Sequence, residues 1–209
     1  EYQGAYPVIY ISFNPVKKQR WEDAKSALRQ LIVWEYIRHG YLSDSSELNE
    51  QERAYFDRVA GWKATDGDIE SSLINLTRLL FKHHGRRTVV LIDEYDVPLE
   101  NAYLHGFYDE MIGFIRSLFE SALKTNPYLE RGIITGCLRI SKESIFTGLN
   151  NLEVDSVLHT RYADSFGFTE AEVKTMLAYY ALSSALPLLR SAHYQDLLRW
   201  RRYLSQHPS

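Results

Sequence analysis

Two successive carboxylates at the end of an apolar run are the residues of this chain best placed to do chemistry. Residues 88–92 read TVVLI and are followed by Asp93, Glu94, Tyr95 and Asp96. A β-branched run of that length suits a buried strand, and in an open parallel sheet ligands collect beyond the carboxyl ends of the strands. An aspartate there can hold a magnesium ion, usually through water, while a neighbouring glutamate polarises the water that attacks a γ-phosphate; this is the Walker B pattern. The same residues also fit a solvated turn after a buried strand, which asks for no ligand. Two adjacent acids cannot both enter a core, so the turn must aim them, and Tyr95 or Asp96 is placed to orient Glu94.

A second strand end points the same way. Residues 131–135 (RGIIT) form a short strand closed by Gly136. It brings Thr135 to the same rim, where a polar side chain can act as a sensor between a γ-phosphate and the attacking water. Arg139 follows within reach of a phosphate. Plain alternatives exist for both: Thr135 as a strand-end hydroxyl satisfying a loop, Arg139 as one half of a surface ion pair. The phosphate-cradling G-x-x-x-x-G-K-[ST] does not occur in these 209 residues. Residues 136–143 (GCLRISKE) come nearest, with Ser141 at the second glycine position, Lys142 at the lysine, and Glu143 where a magnesium-binding hydroxyl belongs. A carboxylate there would repel phosphates, and no glycine supplies the turn, so this is not a phosphate loop.

The elements that must carry these residues alternate between strand and helix. Pro7 to Phe13 reads as a strand covered on both faces and ended by Asn14 and Pro15. Apolar residues Ala24, Ala27, Leu28, Leu31, Ile32 and Ile37 recur at helical spacing between Arg20 and His39, with Gly40 as a stop. A second helix is expected over Glu47–Ala60 after the capping series Ser43 to Ser46. A third is expected from about Asp68 to His83, with Ile69, Leu73, Leu76, Leu79 and Leu80 inward. Pro98 prevents the carboxylate strand from continuing, and a helix follows from Phe107 to Lys124. A fourth strand is expected near Leu158–Tyr162, then a helix to Tyr180 opened by a Thr169–Glu172 capping box. This pattern predicts an α/β layer structure on a parallel sheet.

Bulk properties narrow the function classes. The chain is 45% hydrophobic and 13% aromatic, enough for one sizeable core. A net charge of -3 gives no overall basic field for nonspecific nucleic-acid binding. The single cysteine, Cys137, cannot form an internal disulfide, and no Cys/His cluster of metal type occurs, which fits a reducing cytoplasmic interior. No stretch reaches the roughly 18 apolar residues of a membrane span. The chain begins at Glu1 and reads as an excerpt.

Taken together, residues 89–99 (VVLIDEYDVPL), 132–152 (GIITGCLRISKESIFTGLNNL) and 162–173 (YADSFGFTEAEV) resemble the bacterial AAA-ATPase-like family of P-loop NTPases. Members often carry a PD-(D/E)XK nuclease-like domain downstream. The amino-terminal EYQGAYPVIYISF is similar to the segment that follows the P-loop helix in that family, and the likeness runs over about residues 1–180. It implies a three-layer parallel sheet with helices on both faces, incomplete here, of strand order 5-1-4-3-2. Residues 1–168 would be the core without strand 1 and its P-loop, expected upstream of Glu1. Residues 169–209 would begin a helical lid or a divergent end, since the chain departs from the family after about Tyr180.

The resemblance also implies Asp93 as the magnesium-holding residue, Glu94 as the water-activating residue, Thr135 as the sensor and nucleotide contact, and Arg139 as a phosphate-side arginine. The implied ligands are ATP and Mg2+, and a homo-oligomer is compatible. Nucleic acid enters only through the family's downstream domain, and the implied location is cytoplasmic. The function expected is part of an ATP-hydrolysing core that is inactive as an excerpt. The alternative is a nucleotide-gated interaction module that does not hydrolyse. A nuclease in its own right is disfavoured, because only Glu143 offers an acid beside a basic residue on the sensor side.

Overall fold

The computed structural model describes residues 4–137, 146, 152–156 and 168–180. The chain divides into two compact units, Glu1–Leu152 and Glu153–Ser209. The first unit holds a three-stranded parallel sheet in the order β1 (Val8–Ser12), β2 (Thr88–Asp93), β3 (Leu129–Ile134). Between the strands run α1 (Trp21–Arg38), a 3-10 turn (Gly40–Asp44), α2 (Glu50–Ala60), α3 (Asp66–Glu70), α4 (Ser72–His84), α5 (Val97–His105) and α6 (Tyr108–Leu123). This is an α/β fold with helices around a parallel sheet, as the alternating pattern predicts.

Strand periodicity decides what the sheet buries. Ile9 and Ile11 of β1 and Val90 and Ile92 of β2 alternate into one core with Leu28 and Ile32 of α1, Leu76 and Leu80 of α4, and Ile115 and Phe119 of α6. Side chains of the opposite parity form three cross-strand rows: Val8, Val89 and Arg131; Tyr10, Leu91 and Ile133; Ser12 and Asp93, with Thr135 just past the end of β3. Tyr10 is 50% and Ile133 45% exposed. Covering of both faces, expected for Pro7–Phe13, is thus met on one face only among the described residues of this unit.

Several element boundaries differ from the expected ones, each for a local reason. In α1, Val33 and Tyr36 turn inward in place of Ile37, which is exposed. The buried Tyr36 hydroxyl donates to the Ser72 carbonyl at 2.7 Å. The Ser43–Ser46 series does not cap α2; Asn49 does, through a capping box with Glu52, and the helix starts at Glu50. Ser43 instead donates to Asp57, and Ser45 contacts His83. The single helix expected over Asp68–His83 is two. A Thr65–Asp68 box opens α3, which turns Ile69 inward, Ser71 leaves helical geometry, and α4 begins at Ser72 with Leu73, Leu76, Leu79 and Leu80 inward. β2 ends before Pro98 as expected, but Pro98 lies in a helix that was not expected; as the second residue of α5 its missing N–H has no intrahelical acceptor to lose.

In the second unit, α7 (Glu170–Tyr179) is capped as expected, with Thr169 Oγ1 accepting from the Glu172 N–H at 3.2 Å and the Glu172 carboxylate accepting from the Thr169 N–H at 2.6 Å. Val173 is buried. The strand expected near Leu158–Tyr162 lies outside the described residues, as does the part of the expected helical lid or divergent end beyond Tyr180.

Candidate functional site

The carboxyl ends of β2 and β3 are fastened to each other by backbone and side chain alternately. Thr135 N–H donates to the Ile92 carbonyl at 2.8 Å and Tyr95 N–H donates to the Thr135 carbonyl at 3.2 Å. Beyond them, Cys137 N–H donates to Asp96 Oδ2 at 2.8 Å. Asp96 is 3% exposed, and Tyr95 packs edge-on against Phe146, with ring centroids 5.3 Å apart. The third and fourth residues of the run Asp93–Asp96, Tyr95 and Asp96, thereby anchor the turn. Asp96 Oδ2 serves the β3 loop. Gly136 is required by this closure, because a Cβ there would lie 2.7 Å from Asp96 Oδ1 and from the Tyr95 ring.

Asp93 stands on the uncovered face in the polar row. The Thr135 hydroxyl donates to its Oδ1, and the Tyr10 hydroxyl donates to its Oδ2 at 3.4 Å. Its backbone carbonyl accepts from Phe13 N–H at 2.9 Å, which ties β1 into the same rim. Each carboxylate oxygen has lone pairs beyond those the hydroxyls use. Thr135, picked out from its strand-end position, is therefore brought into direct contact with Asp93. Tyr10 was not picked out; its only signal was a place on the outward parity of an adjoining strand.

Glu94 carries the unusual backbone of the site. Its φ is +53°, in the left-handed region that costs a non-glycine residue on the order of 1 kcal/mol or more. Its Oε2 is buried and has no hydrogen-bond partner among the described residues. Leaving a buried polar atom unmatched costs about 1–3 kcal/mol. Two penalties on one residue beside Asp93 mark Glu94 as held in place by its surroundings, and a carboxylate oxygen without a donor is suited to accept a proton or a water hydrogen. Arg139 lies outside the described residues.

Among the described residues no group of three or more His, Cys, Asp or Glu side chains could hold a metal ion. One carboxylate with neighbouring hydroxyls does fit a magnesium ion that keeps most of its waters and takes the rest of its ligands from phosphates. A cavity of about 870 Å³ lies elsewhere, at the amino ends of the strands, lined by Val8, Arg38, His39, Tyr41, His84 and Arg86 among others. None of the residues at the Asp93 rim lines it. No described helix is long and apolar enough to cross a membrane.

A parallel sheet with acids and a threonine at the carboxyl ends of adjoining strands places the chain in the α/β class whose ligands bind at that rim. The family described as Predicted AAA-ATPase matches residues 1–146, and the chain belongs to that AAA-ATPase-like family. It is also 26% identical over 179 residues to an uncharacterized protein in the vnfD 5' region of Azotobacter chroococcum mcd 1. That match covers 85% of this chain and 30% of the relative's length. No solved structure matches the chain.

Proposed function

We propose that this chain supplies the magnesium-holding and water-activating part of an ATP-hydrolysing AAA-like ATPase. The observation that carries the reading is Glu94: a left-handed residue with a buried carboxylate oxygen lacking a donor, directly after Asp93. Membership in the AAA-ATPase-like family supports ATP as the substrate.

In this reading Asp93 would hold Mg2+, and the Thr135 and Tyr10 hydroxyls fix the rotation of its carboxylate. A magnesium ion bound there would neutralise charge on the β- and γ-phosphates. Glu94 Oε2 accepts a hydrogen from the attacking water and aims its lone pair at the γ-phosphorus. Thr135, within reach of both Asp93 and the space beyond the rim, senses the γ-phosphate through its hydroxyl. Arg139 is assigned to the phosphate side on the family resemblance alone. The second reading is a nucleotide-gated module that binds without hydrolysing; the strain at Glu94 favours the first, because a binding-only rim has no use for an unmatched carboxylate oxygen.

The test is steady-state ATP turnover by the full-length protein and by Glu94→Gln, with nucleotide affinity measured separately. Turnover is expected to fall by about 100-fold or more with affinity retained. Equal turnover in the two proteins, or binding without turnover in both, would remove Glu94 from this role.

A further inference from the structure

The outer edge of β1 is closed by two side chains that reproduce the hydrogen bonding of a strand. In a parallel ladder, the residue opposite position i donates to the carbonyl of i−1 and accepts from the N–H of i+1. On the inner edge Val89, opposite Val8, follows this rule and donates to the Pro7 carbonyl at 3.0 Å. On the outer edge the groups flanking Ile9 are the Val8 carbonyl and the Tyr10 N–H. Arg38 Nη2 donates to the first. Glu35 Oε1 accepts from the second at 2.9 Å.

The donor and acceptor are held as one unit. Arg38 Nε donates to Glu35 Oε2 at 2.9 Å, and Arg38 Nη2 also reaches Glu35 Oε1. The two lie three residues apart on α1, the spacing that puts them on one helix face. Glu35 is 5% exposed, while the Arg38 side chain is half exposed. His39 Nε2 backs the pair, 3.1 Å from Arg38 Nη2 and 3.5 Å from Glu35 Oε1. On its far side, His39 Nδ1 lies 3.0 Å from the Tyr41 hydroxyl, which lies 2.9 Å from His84 Nε2. A buried carboxylate is expensive to place. Setting one against a strand edge has a reason if the edge must be shut.

We propose that Glu35 and Arg38 together stand in for one residue of a neighbouring parallel strand opposite Ile9, and so close the β1 edge against pairing with a second copy of this chain. An open strand edge is a template for such pairing, and inward-pointing charge is one of the means that blocks it. A second copy is the partner excluded because it presents the same Val8–Ser12 edge at equal concentration, and two identical edges can pair about a two-fold axis.

The test uses the full-length protein, comparing wild type with Glu35→Ala, Glu35→Gln and Arg38→Met by amide hydrogen exchange at Tyr10 and by sedimentation over a range of concentrations. At low concentration the Tyr10 amide of Glu35→Ala is expected to exchange about tenfold faster or more than wild type. At high concentration that protection returns as larger species form. Glu35→Gln, which keeps an acceptor oxygen, is expected to protect Tyr10 as wild type does. If Glu35→Ala does not fold, Arg38→Met carries the test, since its half-exposed head can be removed without opening the core. Unchanged Tyr10 exchange in a folded Glu35→Ala, or no added self-association in any variant that loses the pair, overturns the proposal.

Discussion

The β1 and β3 edges of the same sheet are finished in opposite ways. At β1 a buried carboxylate and a guanidinium from α1 occupy backbone groups that a further strand would use. At β3 the strand is exposed at Glu130, Arg131, Gly132 and Ile133, and no described strand pairs with its far side. Among the described residues the sheet thus carries an ion pair on one edge and none on the other. The order suggested by the family resemblance, 5-1-4-3-2, equates β1, β2 and β3 with strands 2, 3 and 4. The observed neighbours β1-β2-β3 agree with the 2-3-4 part of that order.

The rim residues sit between these two edges, and the tie on the β3 side is the easier to break. Gly136→Ala would drive a methyl group into Asp96 Oδ1 and the Tyr95 ring. Overpacking of this kind costs about 1–3 kcal/mol. The expected outcome is a loss of stability in that range on chemical denaturation, together with faster exchange at the Cys137 amide, while Tyr10 exchange stays as in wild type. Equal loosening at both edges would show that they are not independent.

A smaller effect sharpens the contrast through pH. Burial pushes the Glu35 carboxyl up, but hydrogen bonds from Arg38, His39 and the Tyr10 N–H outweigh it, and the folded-state pKa lies below the ordinary 4.5. A depressed carboxylate contributes stability that is fully present above its unfolded pKa and is lost as pH falls through the folded value. Acid should therefore loosen the β1 edge first. The protection factor at Tyr10 is expected to fall as pH drops below 4.5. That at Thr135, whose acceptor is the Ile92 backbone carbonyl, should hold until the whole unit unfolds. Asp68, held down to about 2 by Arg58 with help from the Thr65 backbone and hydroxyl, keeps the start of α3 intact through most of that range.

Much of the frame could be read from residue order. The helices announced themselves by apolar spacing, and the buried strands by β-branched runs. The contact of Asp93 with Thr135 was legible because each ends a strand, and ends of adjoining parallel strands meet at one rim. Local competition blurred the helix starts. Four polar residues at 43–46 outnumbered Asn49 as candidate caps, and Asp44 stands three residues before Glu47 just as Asn49 stands three before Glu52, so spacing alone did not single out the Asn49–Glu52 box that opens α2. α5 was hidden by Pro98, a breaker inside a helix but harmless in its first turn.

Tertiary partners were not legible at all. Tyr10 and Asp93 are 83 residues apart, and Glu35 meets a strand amide 25 residues away. Nothing in the local pattern of α1 separates Glu35 and Arg38 from the solvated charges on either side of them. The left-handed turn at Glu94 was equally silent, since a glutamate carries no preference for that conformation.

In the proposed function Glu94 and Thr135 work on one reaction as parts of one rim. A double-mutant cycle on ATP turnover by the full-length protein tests it directly, using Glu94→Gln, Thr135→Ala and the double variant. Strong non-additivity is expected: with Glu94 already replaced, removing the Thr135 hydroxyl should change turnover by no more than about threefold, because residues that act as a unit fail together. A double variant slowed by the full product of the two single effects would mean that the two residues act independently and do not share one reaction.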